Sequence, residues 1–207
     1  HVGYLTNALH LKLPVENYHH LDHPLQQRAL DILSDLAMRD VRQYPIGIDG
    51  CGFPAPTMPL VDLCRATARY GNPQDLSSAR SGAVLRLHDA LRNEPLYAAG
   101  HDSLVSELIM ATNGAILAKT GAEGVLVASL PSHGLGIAIK IADGNARPRA
   151  IALLAILDHL GYLSEAAKSR LSAHMTPPVL NSRNEVVGQV RPAPEWISSM
   201  ESDLTIS

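Results

Sequence analysis

A chain of 207 residues, 46% of them hydrophobic, carries enough apolar material for one sizeable core and a second small subregion. Its net charge of −3, with no run of like charges, argues against a nucleic-acid or membrane-surface partner. The only two cysteines, Cys51 and Cys64, imply no disulfide framework and favour a reducing, cytoplasmic setting, and no apolar stretch is long enough to span a bilayer.

Val2, Leu5, Ala8, Leu9 and Leu13 recur at helical spacing from the start, so the chain opens inside an amphipathic helix, as a piece of something longer would. Leu13-Pro14 ends that pattern. The loop that follows is rich in histidine, but His10, His19, His20 and His23 fit no fixed ligand template, and Pro24 keeps His19 and His23 off a shared helix face; a solvated loop is expected. Asp22 before His23-Pro24 announces a helix from about 23 to 38. The Gly- and Pro-dense stretch from Pro45 to Pro59 reads as loop. Pro59 opens a helix through Tyr70 that Gly71-Asn72-Pro73 closes, and Cys64 on its apolar face reads as core. Ser77 or Ser78 caps a helix to about Arg92, and another spans roughly 101 to 112.

At Asn113-Gly114 the period changes. Strands are expected at 115–119, 123–130 and 135–142, with Pro131-Ser132-His133-Gly134 as a hairpin loop. Ala150 to Leu160 reads as an apolar helix, Ser164 to His174 as a shorter one, and Val186 to Val190 as a strand. The order implies an α+β fold in which helices cover an antiparallel sheet. Its parts are a helical region over 1–112, the sheet with its covering helix over 113–192, and a polar tail over 193–207.

Two stretches carry chemistry. Lys119-Thr120-Gly121 closes the apolar run Ala115–Ala118, so an ammonium, a hydroxyl and an unhindered backbone N–H line one end of a sheet. A lysine there either serves as a desolvated base beside a serine or snorkels to water. Asp49 and Cys51 flank Gly50 in the Gly/Pro-rich loop, where side chains are displayed rather than packed. Asp49 reads either as a substrate-amine ligand or as a turn residue making an Asx hydrogen bond. Cys51, from the residues alone, reads as a buried free cysteine.

A strand ending in Lys-Thr-Gly is also the third signature of the serine β-lactamases and penicillin-binding proteins. Taken with Ile48-Asp-Gly-Cys-Gly52, Lys119-Thr-Gly-Ala-Glu-Gly124, the His23-Pro-Leu-Gln26 run and Lys140-Ile-Ala-Asp-Gly144 followed by Arg147 and Arg149, the chain resembles the rhizobial-type L-asparaginases over residues 1 to 192. That family is serine-β-lactamase-like in fold and cleaves asparagine to aspartate and ammonia through two Ser–Lys pairs. The resemblance implies that Lys119 is catalytic, that Thr120 and Gly121 orient a substrate carboxylate or line the oxyanion side, and that His1 and Asp49 contact substrate. It makes Cys51 one ligand of a zinc ion whose other ligands would precede His1. It also implies a homodimer acting on a small-molecule amide.

The lysines at 12, 119, 140 and 168 follow Leu9, Ile116, Ile137 and Glu165, so the chain has no S-x-x-K. Ser34-Asp35 and Ser202-Asp203 each precede leucine rather than the asparagine of the second β-lactamase signature. The nucleophilic serine is therefore expected from a missing N-terminal half or a second chain, and this polypeptide alone is expected to be inactive. Where the family carries an arginine after Gly100, the chain has His101-Asp102-Ser103, which removes a bidentate clamp for a carboxylate. Two alternatives stay open: a non-catalytic partner subunit of the same fold, or a hydrolase of a related amide or ester.

Overall fold

The computed structural model describes residues 1–203. Helix α1 (Val2–Leu11) ends at Lys12, whose backbone turns left-handed at φ 56°. Only Ala8 of α1 is buried, and Val2 and Leu9 face outward. Helix α2 (Pro24–Ala37) begins at His23, whose Nδ1 accepts from Leu25 N at 3.2 Å while Nε2 donates to the Pro14 carbonyl at 3.0 Å. His23 is thus a buried cap rather than part of a solvated loop, because its ring meets one of the donors that a helix start leaves unpaired.

The segment read from sequence as loop contains a hairpin. Strand β1 (Ile46–Ile48) pairs antiparallel with β2 (Pro54–Pro56), with Ile46 opposite Pro56 and Ile48 opposite Pro54. Two prolines suit a two-stranded ribbon because each strand needs hydrogen bonds on one side only. Helix α3 (Leu60–Gly71) follows, then α4 (Ser78–Asn93), for which Ser77 accepts from Arg80 N. The helix expected over roughly 101–112 is α6 (Leu104–Ala111), and a short α5 (Leu96–Ala99), not read from sequence, precedes it. Gly100 at φ 83° breaks the two, and Ser103 caps the second through Val105 N.

Strands β3 (Leu117–Thr120), β4 (Val125–Leu130) and β5 (Leu135–Lys140) form the meander in the order β3-β4-β5, leaving β3 at an edge. Lys119 stands opposite Val127, and Leu117 opposite Ser129. Helix α7 (Arg147–His159) starts a turn earlier than expected, because Pro148 fits a first helical turn, and α8 (Glu165–Met175) is capped by Ser164. A β6–β7 ribbon (Pro178–Leu180, Val186–Gln189) supplies a partner strand not read from sequence. Helix α9 (Pro194–Asp203) occupies most of the stretch read as a polar tail, whose residues 204–207 lie outside the described ones.

The sheet is covered on both faces. Leu126, Ala128 and Leu130 of β4 point toward α6, α7 and α8, meeting Leu108, Leu153, Leu154, Leu157 and Leu171 in the main core. Each of those leucines is essentially inaccessible, and burying one contributes about 2 kcal/mol. Helix α3 lies across the other face against β4 and β5. A smaller core of Leu30, Ala37, Val41 and Ala66 joins α2 and α3, and the hairpin adds Ile46 to it. The architecture is α+β, and no described helix is long and apolar enough to cross a membrane.

Candidate active site

Lys119 is exposed on edge strand β3, and its Nζ donates to the Thr120 carbonyl at 2.9 Å. Strand alternation puts it on the α3 face of the sheet together with Val127 and Ser129. There it stands at the rim of a cleft of about 490 Å³, walled by Leu33 and Leu36 of α2, Ala66 and Tyr70 of α3, and Leu117 of β3. The walls are apolar, so a group entering the cleft beside the ammonium would be desolvated. Thr120 is half-buried. The Gly121 N–H donates to Val125 O at 2.9 Å, closing the tight turn into β4. It is therefore not the free donor that the strand-end reading expected. The Gly121 carbonyl accepts from Arg149 Nη1 at 2.9 Å.

Ser129 is the serine on the wall of this cleft, diagonal to Lys119 across the β3–β4 pair. At 1% exposure it is closed to a substrate, and its side chain is packed against Gly71 of α3, where a Cβ would meet it. Thr67, also on the wall, returns its hydroxyl to Leu63 O at 2.8 Å.

The Asp49–Cys51 loop forms a second cluster. Asp49 Oδ1 accepts from Cys51 N at 2.9 Å and Phe53 N at 2.8 Å, so the carboxylate ties its own turn together. Oδ2 makes no hydrogen bond among the described residues and remains open to a donor. Phe53, the single phenylalanine of the chain, stacks on Tyr4 and His1 with both ring centroids 4.7 Å away. His1 Nδ1 is 2.5 Å from the Tyr18 hydroxyl, and His19 lies against Gly52. Burial, reinforced by the Asp49 carboxylate, pushes the Tyr4 phenol above its ordinary value. His1 is therefore held to the Asp49–Cys51 loop through the Phe53 ring. Tyr4, Tyr18 and Phe53 were not singled out from sequence; the signal was an aromatic directly after Asp-Gly-Cys-Gly.

Cys51 is exposed, and no group of three His, Cys, Asp or Glu side chains able to hold a metal occurs among the described residues. The residues present do not make a zinc site. Cys64 faces the sheet, its Sγ donating to Gly136 O at 2.9 Å, and burial raises its thiol above the ordinary value. Ser103 is spent on capping α6, its Oγ accepting from Val105 N at 3.3 Å. Among the described residues no hydrogen bond, ion pair or ring contact joins Lys119, Thr120 or Gly121 to Asp49, Cys51 or His1.

No curated protein sequence matches the chain. A family model described as L-asparaginase II matches residues 1–192 of the 207, a stretch that takes in the Asp49–Cys51 loop, the Lys-Thr-Gly strand and the helices that enclose the cleft. The chain belongs to the L-asparaginase II family.

Proposed function

We propose that this protein takes part in L-asparaginase-type hydrolysis, converting asparagine to aspartate and ammonia, with Lys119 as the proton-handling group of a Ser–Lys pair. The observation that carries the reading is the position of Lys119: an edge strand that starts buried at Leu117 and Ala118 emerges at Lys119, bringing a primary amine to the rim of an apolar cleft. The serine comes from polypeptide outside these 207 residues, an N-terminal half or a second chain, because the sequence has no S-x-x-K and Ser129 is shut away. Packing of that segment over the cleft would desolvate the ammonium and favour the neutral amine.

In this reading the Lys119 amine takes the serine proton as the oxygen attacks the side-chain amide carbon. The proton is then given to the departing nitrogen, ammonia leaves, and water releases aspartate from the ester. Thr120 and Gly121 form the substrate-facing end of the strand, the glycine by leaving room rather than by donating its N–H. Asp49 offers Oδ2 to the substrate ammonium, and His1, fixed by Tyr18 and Phe53, closes that side. The assembled enzyme is a homodimer acting on a small molecule.

One observation favours a second reading. The Gly121 N–H is already engaged and Lys119 bonds its own neighbour's carbonyl, as in a partner subunit that no longer catalyses. Loss of the arginine at Ser103 equally fits a different amide or ester as substrate. Ammonia release by the complete protein, measured on L-asparagine, L-glutamine and a matched ester panel, separates these readings. Turnover of asparagine well above the others is the expected result, and silence on every compound would leave the non-catalytic reading.

A further inference from the structure

The first turn of α7 breaks an electrostatic rule. A helix N-terminus carries partial positive charge and favours carboxylates, yet α7 has no acidic residue in that turn and has arginines at 147 and 149. Neither arginine pairs with a carboxylate among the described residues, whereas most arginines of the helical region do: Arg42 with Asp31, Arg65 with Asp62, and Arg69 with Asp75. Where a local preference is violated without a compensating partner inside the protein, a ligand is the natural source of compensation.

The two arginines are not equivalent. Arg147 is exposed and borders the groove beside His174 and the β6–β7 ribbon. Arg149 is half-buried, and its Nη1 is fixed on the Gly121 carbonyl. The Lys119 ammonium is fixed on the carbonyl of Thr120, the adjacent residue, also at 2.9 Å. Two cations are therefore anchored on consecutive carbonyls at one end of β3, both without an acidic partner. Glu123, the carboxylate in the same turn, lies over Gly144 instead, where its Oε2 occupies the space that a Cβ would take. Asp143 is used by Asn145 N. One bond to Gly121 leaves most of the donor fork of Arg149 uncommitted, and that fork matches a carboxylate.

We propose that Arg149 is the carboxylate-binding residue of this protein, holding the α-carboxylate of an amino-acid amide at the end of the Lys-Thr-Gly strand. It thereby fills the role left open by Ser103, which caps α6. The substrate class is an amide bearing a free carboxylate close to the scissile group, not a simple alkyl amide. This rests on the amidohydrolase reading only for the identity of the amide; the carboxylate site itself stands on the geometry of Arg149.

Binding to the 207-residue chain tests it without requiring turnover. L-asparagine is compared with 3-aminopropanamide, which keeps the amide and the amine and lacks the carboxylate. The proposal expects L-asparagine to shift the Arg149 side-chain Nε–H resonance, and 3-aminopropanamide to leave it in place. Arg149→Gln is expected to weaken L-asparagine binding at least tenfold, Arg149→Lys to recover part of the loss, and neither to change the affinity for 3-aminopropanamide. An unmoved Arg149 resonance, or equal asparagine affinity in the wild type and R149Q, overturns the proposal, as does absence of asparagine binding. Should asparagine bind through Arg149 while the complete protein releases no ammonia, the carboxylate site is upheld and the hydrolase reading falls.

Discussion

Gly136 lies directly beneath Cys64. The thiol donates to the Gly136 carbonyl at 2.9 Å, and a Cβ on Gly136 would sit 2.4 Å from Cys64 O and 2.6 Å from Ala68 N. Helix α3 rests on the sheet at backbone contact distance, and this contact sets the height of one wall of the cleft beside Lys119. Gly136→Ala must lift the helix, because both obstructing atoms are backbone. The expected cost is about 3 kcal/mol, the upper end for overpacking, read as a fall of the denaturant midpoint with unchanged slope.

Phe53 ties the Asp49–Cys51 loop to α1 through its stacks with Tyr4 and His1. Phe53→Ala removes both stacks and is expected to cost about 2 kcal/mol, two aromatic pairs plus the lost burial. The Cys51 and Phe53 amides, which donate to Asp49 Oδ1, should exchange with solvent at least about tenfold faster, since local opening sets that rate. Unaltered exchange would mean that the loop holds its shape through the Asx turn alone.

His88 is 1% exposed on α4, its ring 4.9 Å from Tyr70, and its Nε2 has no hydrogen-bond partner. Burial, with Arg92 adding to it, lowers its pKa from the ordinary value, while the Tyr70 carbonyl and Asp89 oppose them. The unfolded chain therefore binds a proton at about pH 6.5 that the folded chain refuses. The stability that depends on neutral His88 is present above that pH and is lost as pH falls below it. In His88→Leu the decline of Tm below pH 6.5 should be shallower than in the wild type, and parallel curves would remove His88 as its source.

Elements whose signals are local were legible in the sequence. His23-Pro24 opens α2, Ser77 and Ser164 cap the helices expected of them, and the change of period at Asn113-Gly114 separates helices from the meander. The β1–β2 hairpin was hidden because its strands are three residues long and β2 contains two prolines, which normally argue against a strand. The site was legible as residue types but not as contacts. Phe53 is far from His1 and Tyr18 along the chain, so nothing local announces their rings meeting. The Gly121 N–H looked free until the turn to Val125 brought an acceptor to it. Arg149 was legible as a residue of the run that follows Lys140-Ile-Ala-Asp-Gly144, but not its lack of an acidic partner, which follows from α7 beginning at Arg147 with no acid in its first turn.

The central claim is that the Lys119 amine moves the proton in amide cleavage, and ammonia release from L-asparagine by the complete enzyme carrying Lys119→Ala tests it most directly. The side chain makes one hydrogen bond, to Thr120 O, so the variant should keep its Tm while turnover falls at least about 100-fold, the scale of a lost general base. Turnover within about twofold of the wild type would contradict the account, since general-base loss cannot be that small.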